Sequence, residues 1–75
     1  MIEEHSNVIL NEDLPEDGLY KGDVGAVVHV YREGEAYEVE FLTMNGDTVA
    51  IRTLKAAQVQ AVGSRMIPHV REMAV

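Results

Sequence analysis

Two glycines three residues apart, leading directly into a β-branched run, constrain this chain more than any other feature: Lys21-Gly22-Asp23-Val24-Gly25-Ala26-Val27-Val28-His29-Val30-Tyr31. Glycine has no Cβ, so it serves where the chain turns sharply or where another backbone comes close. The pattern predicts a tight turn feeding a strand that a second strand approaches closely. Apolar residues fall on both faces of that strand, with Val24, Ala26, Val28 and Val30 on one and Val27, Tyr31 and His29 on the other. Side chains alternate along a strand, so a straight one would expose half of these. Either the strand bends across a small barrel, each half facing the core differently, or another element covers part of it.

The remaining segments fit a barrel of five strands. Asn7 to Leu10 reads as a first strand, and Glu12-Asp13-Leu14-Pro15-Glu16-Asp17-Gly18-Leu19-Tyr20 as a long loop whose Pro15 and Asp17-Gly18 supply turn chemistry. Leu14 and Leu19 anchor that loop from beneath. Strand two runs from about Val24 to Tyr31 and ends at the turn Arg32-Glu33-Gly34-Glu35. Strand three, Ala36 to Leu42, alternates cleanly, with Tyr37, Val39 and Phe41 inward and Glu38 and Glu40 in water.

Strand four, Thr48 to Leu54, follows a connection containing Asn45-Gly46. A two-residue Asn-Gly turn would set Val39 opposite Arg52 and Glu40 opposite Ile51, mixing core and solvent faces. A three-residue loop of Met44, Asn45 and left-handed Gly46 pairs Phe41 with Val49 and Val39 with Ile51, and this is the expected register. It points Val49 and Ile51 inward and sets Glu38 opposite Arg52, a surface pair worth about 0.5 kcal/mol. A single helical turn over Lys55 to Gln58 then precedes a last strand, Val59 to Val62. The expected division is a barrel over 1–62 and an apolar tail over 63–75. In the tail Pro68 suits a first helical position, and Ile67, Val70, Met73 and Ala74 recur at helical spacing. A helix this short needs a surface to lie on, since isolated helices below about 12–15 residues are marginal.

Seventy-five residues support one domain with one modest core, of a size that buries only about 60% of the surface its unfolded chain exposes. The chain lacks cysteine, which removes disulfides, thiolate nucleophiles and cysteine metal sites and suits a reducing compartment. No apolar run approaches the roughly 20 residues of a membrane span, and the first residues lack the basic and apolar regions of a signal peptide. The expected location is cytoplasmic, with no membrane partner.

The net charge of −7 is unevenly spread: residues 1–47 hold 12 acids and 2 bases, and residues 48–75 hold 1 acid and 4 bases. Phosphate backbones attract cations, so the acidic front half argues against nucleic acid and for a basic protein partner.

Reaction chemistry has few candidates. Ser6 and Ser64 lie in terminal or linker segments, and His5, His29 and His69 have no metal-ligand spacing. The carboxylates of Glu12-Asp13 and Glu16-Asp17 sit in a polar loop, a poor place to raise a pKa for acid catalysis, and they lack the alternate spacing of a calcium loop. No catalytic residue, metal or cofactor is expected. A polyproline groove needs aromatic walls, and only Tyr20 and Tyr31 remain for a small patch once Tyr37 and Phe41 enter the core.

Lys21, Gly22, Gly25, Val27 and Val30 resemble the second half of the KOW motif, K-G-x-x-G-x-V-x-x-V, found in SH3-like barrels. A longer set of blocks resembles a family of small bacterial proteins described only as a domain of unknown function. These are Glu12-Asp13-Leu14-Pro15, Gly18-Leu19, Lys21 to Gly25, Ala36 to Phe41, Gly46 and Thr53-Leu54, spanning roughly residues 8 to 62. That resemblance implies a free-standing SH3-like barrel of unassigned activity, often encoded in small operons beside another uncharacterised protein.

The expected fold is thus an all-β, five-stranded SH3-like barrel with a short helical or extended tail. The expected function is a non-catalytic protein-interaction module, the acidic antitoxin- or inhibitor-like member of a two-protein pair. Glu12, Asp13, Glu16 and Asp17 would steer the encounter, Tyr20 and Tyr31 would mark an exposed patch, and Ile67, Val70 and Met73 would anchor by burial. Two alternatives are a KOW-type RNA- or ribosome-associated protein using Arg52, Lys55, Arg65 and Arg71, and self-assembly into a homo-oligomer through the tail.

Overall fold

The computed structural model describes residues 1–73. It contains β1 (Asn7–Leu10), β2 (Val24–Tyr31), β3 (Ala36–Leu42), β4 (Thr48–Lys55) and β5 (Val59–Ala61), in one antiparallel sheet ordered β4-β3-β2-β1-β5. That is the strand order of an SH3-like barrel. Single 3-10 turns occupy Pro15–Asp17, in the loop between β1 and β2, and Ala56–Gln58, between β4 and β5. In the second turn the Gln58 side chain accepts the Lys55 N–H at 2.7 Å, which aims the chain back toward β1.

β2 holds the barrel together because it pairs with β1 at its start and with β3 along its whole length. Gly22 turns the chain into it with φ +97°. At Gly25 the neighbouring strand comes so close that a Cβ would lie 2.6 Å from Val39 Cγ1, 2.9 Å from Phe41 Cε1 and 3.0 Å from the Glu40 carbonyl oxygen. The strand then bends. Its register against β3 shifts between Val27 and His29, leaving Val28 as the extra residue of a bulge. A bulge inverts the inward parity, so Val27 is fully buried before it and Val30 packs against the core after it. This accounts for the two apolar faces.

The core is Val8, Leu10, Leu19, Val27, Tyr37, Val39, Phe41, Ala50, Leu54 and Val59, with Ile2, Leu14, Val30 and Val49 packed at its margin. Leu14 and Leu19 tie the long loop down by mutual backbone hydrogen bonds of 2.8 and 3.1 Å.

β4 differs from expectation in register. Its hairpin does contain the three-residue loop: the Gly46 N–H donates to the Thr43 carbonyl at 2.9 Å, and Gly46 has φ +91°. One step further on, however, the pairing jumps from Leu42↔Thr48 to Phe41↔Ala50, so Val49 is bulged. Val39 therefore faces Arg52, Glu40 faces Ile51 and Tyr37 faces Leu54. Ala50 and Leu54 are buried in place of the expected Val49 and Ile51, and Ile51 is exposed. The expected Glu38–Arg52 pair does not form, because Thr53 stands opposite Glu38. Arg52 lies between Ala50 and Leu54 on the inward parity. Its guanidinium is exposed and reaches the β1–β2 loop, donating to Asp17 from Nε at 2.8 Å and from a second nitrogen.

Of the two forms expected for the tail, helical or extended, the helical one does not occur among the described residues. Residues 62–73 form no helix. A turn at Gly63–Met66 closes with the Met66 N–H on the Gly63 carbonyl at 3.2 Å. Ile67 stands before Pro68, a position disfavoured in the α region, and a short helix without a surface to pack on is marginal. The tail instead runs extended across the outside of β1 and β2. Ala74, the last residue of the expected helical pattern, lies outside the described residues.

Replacing Gly25 with alanine forces a methyl group into the β2–β3 contact. The expected result is a loss of about 1–3 kcal/mol of unfolding free energy, measured by urea denaturation with the m-value unchanged.

Candidate interaction surface

The loop joining β1 to β2 carries most of the expected site residues, and its own hydrogen bonds give it one shape. Asp13 Oδ1 accepts the Lys21 N–H at 2.8 Å, closing the loop across its neck. Pro15 starts the 3-10 turn, and Gly18, with φ 71°, ends it with its N–H on the Pro15 carbonyl at 3.1 Å. Two further bonds dock the end of the loop on β1: Gly22 N–H to the Leu10 carbonyl and Leu10 N–H to the Asp23 carbonyl, both 2.9 Å. The Asp23 carboxylate is oriented by the Tyr20 N–H, which donates to Oδ2 at 2.8 Å.

The tail reaches this loop through one side chain. Arg71 donates from Nε to Asp23 Oδ1 at 2.9 Å, and from Nη2 to Asp23 Oδ2 at 2.6 Å and to the Gly18 carbonyl at 2.9 Å. Its guanidinium carbon also stands 5.0 Å from the centre of the Tyr20 ring, within cation–π range. Between the tail and the outer face of the sheet lies a largely apolar groove of about 610 Å³, with Ile9 and its cross-strand partner Val24 as floor and Met66, Ile67, Pro68 and His69 on the tail side.

The expected site residues are only partly brought together. Glu12, Asp13 and Glu16 are exposed on the loop; Glu12 accepts from Gln58 Nε2 at 3.2 Å. Asp17 is half-buried and engaged by Arg52. Tyr20 is half-exposed beside Arg71. Tyr31 belongs elsewhere: it ends β2, some ~25 Å of strand from the loop at about 3.3 Å per residue. There its ring meets His29 edge-on at 4.4 Å and its hydroxyl donates to Glu38 Oε2 at 3.0 Å. That bond, with Glu38's charge and some burial, raises its pKa above 10.0.

In the tail, Ile67 and Val70 are 92% and 69% exposed, so they are not buried against this chain's own barrel. Met73 does make contact, with its Cε 3.6 Å from where a Cβ on Gly18 would stand. Of the four cations proposed as a basic patch, Arg52 and Arg71 are each paired with a carboxylate of this chain. Among the described residues no three metal-ligating side chains converge, and no helix is long and apolar enough to cross a membrane.

Asp23, the Gly18 carbonyl and Arg71 are the contacts that sequence reasoning did not join. Their signal was present as the charge asymmetry, an acidic front half and a basic back half. Part of that asymmetry is satisfied within the chain.

A five-stranded barrel carrying a braced acidic loop is the class of domain that this fold and surface define. Residues 4–61 match the family described as "Domain of unknown function (DUF4926)", and the chain belongs to that family. The match ends with β5, so the β1–β2 loop lies inside it and Arg71 lies beyond it. No curated protein and no solved structure matches the chain.

Asp23 makes the docking of the tail dependent on pH. Partial burial works to raise its carboxyl, but the hydrogen bonds from Arg71 and the Tyr20 N–H, with the charge of Arg71, outweigh that and hold the pKa below 3.8. A carboxyl with a lower pKa when docked binds fewer protons in that state. Its contribution is therefore complete above the undocked value and lost as pH falls through the docked one. The Arg71 side-chain N–H resonances are expected to stay constant from about pH 5 to 8 and to move only below about pH 4. A transition between pH 5 and 8 instead would show that Asp23 does not govern the docking.

Proposed function

We propose that this protein is a non-catalytic interaction module that binds a basic protein through the β1–β2 loop, as the acidic, antitoxin- or inhibitor-like member of a small bacterial two-protein pair acting in the cytoplasm. The observation that carries this reading is the exposure of Glu12, Asp13 and Glu16 on a backbone held by internal hydrogen bonds. A surface already in its bound shape loses little entropy on binding, and like charges gathered on it accelerate encounter with an oppositely charged partner.

Co-purification from the native host, read by mass spectrometry, tests the proposal. A basic protein in apparent stoichiometric yield is expected, and recovery of this chain alone contradicts it. Reversing Glu12 and Glu16 to lysine should slow association by about tenfold or more at low salt, with a smaller effect on dissociation. An unchanged on-rate would remove the loop from the interface.

A further inference from the structure

We infer that the Gly18 carbonyl, the Tyr20 ring and the Asp23 carboxylate form a receptor for an arginine side chain on an extended, basic segment of the partner, and that the chain's own tail is a built-in competitor occupying it. This rests on the reading of the β1–β2 loop as a partner-binding surface.

The notch stays formed without its guanidinium. Asp23 Oδ2 is held by the Tyr20 N–H, the Asp23 N–H donates to the Tyr20 carbonyl at 3.0 Å, and the flanking backbone is bonded to Leu10. None of these bonds involves the tail. The three groups also select arginine over lysine. A planar fork satisfies both carboxylate oxygens at once, leaves a further N–H for the carbonyl and lays a flat cation beside the ring, whereas an ammonium is a point charge with no plane.

The tail looks like an occupant that can leave. From Ile67 to Met73 no backbone hydrogen bond joins it to the barrel. Ile67 and Val70, the residues that would make attachment lasting, face solvent. Arg71 and Met73 are its grip on the loop. A short tether nevertheless keeps Arg71 at an effective concentration of about millimolar, which would suppress weak or incidental arginine ligands. The true partner would need additional contacts. The carboxylates of Glu12 and Glu16 on the same loop offer them to a segment carrying further positive charge. Tail release would also widen the groove floored by Ile9 and Val24 for an apolar residue of that segment.

The test uses the full chain and a fluorescein-labelled peptide with the tail's own residues 64–73 as probe, read by fluorescence anisotropy. Arg71→Gln should open the notch while keeping the tail and the fold, the latter checked by circular dichroism, and should bind the peptide at least about tenfold more tightly than the unsubstituted protein. Adding Asp23→Asn should abolish that gain, and replacing the arginine at the peptide's position 71 with lysine, with Arg65 kept, should weaken binding severalfold. Equal binding by Arg71→Gln and the unsubstituted protein would overturn the inference, as would binding that survives Asp23→Asn. A dimer of the unsubstituted protein in light scattering that Arg71→Gln dissolves would also overturn it, assigning the notch to tail exchange between copies. The peptide assay needs no host partner, so it can succeed where co-purification fails. Conversely, a basic partner captured equally by the Asp23→Asn protein would sink this inference and leave the proposed function standing.

Discussion

The contact of Gly25 with Val39 and Phe41 is the constraint on which the rest of the structure depends. Gly25 is paired on one side with Val8 of β1 and on the other with Phe41 of β3. Both halves of the barrel meet there. With a side chain at this position β3 would stand off, and Val39 and Phe41, two of the largest fully buried groups, would lose the wall they pack against. The bulge at Val28 follows from the same requirement, since a strand that serves both halves must bend and change the face it turns inward.

That bend also determines where the loop sits. The chain enters β2 through Gly22, whose N–H is bonded to Leu10 of β1, so the last residues of the loop are fastened to the barrel wall. Leu19 is buried beneath the loop and Asp23 stands at its end. A carboxylate, a free carbonyl and an aromatic ring are thereby held on a rigid base, and Arg71 finds them together. Two long-range ion pairs within the chain, Asp17 with Arg52 and Asp23 with Arg71, join the same loop to the edge strand and to the tail. Each is partly exposed, so its worth lies more in geometry than in stability, surface pairs contributing about 0–1 kcal/mol.

The strands, the bent β2, the turn at Ala56–Gln58 and the leucines under the loop were legible in the sequence, because each depends on short-range pattern: alternation, turn residues and glycine spacing. The β3–β4 hairpin shows where such reasoning stops. Met44, Asn45 and Gly46 do form the loop their residue types demand, but a loop sets register only at its own end. One bulged residue, Val49, resets it and sends Ala50 and Leu54 inward. The choice between a helical and an extended tail was not legible for a related reason. Its apolar spacing suited a helix, yet the described tail is tied to the β1–β2 loop by long-range contacts from Arg71 and Met73, and periodicity carries no information about them. Tyr20 and Tyr31, alike as exposed aromatics on paper, are separated by the length of β2.

The close approach at Gly25 can be observed directly in solution by proton NMR. The Hα protons of Gly25 are expected to be shifted by the ring current of Phe41 and to show cross-peaks to the Val39 methyl group and the Phe41 ring. Random-coil shifts for Gly25, with no cross-peak to either side chain, would contradict the account of how this barrel is built.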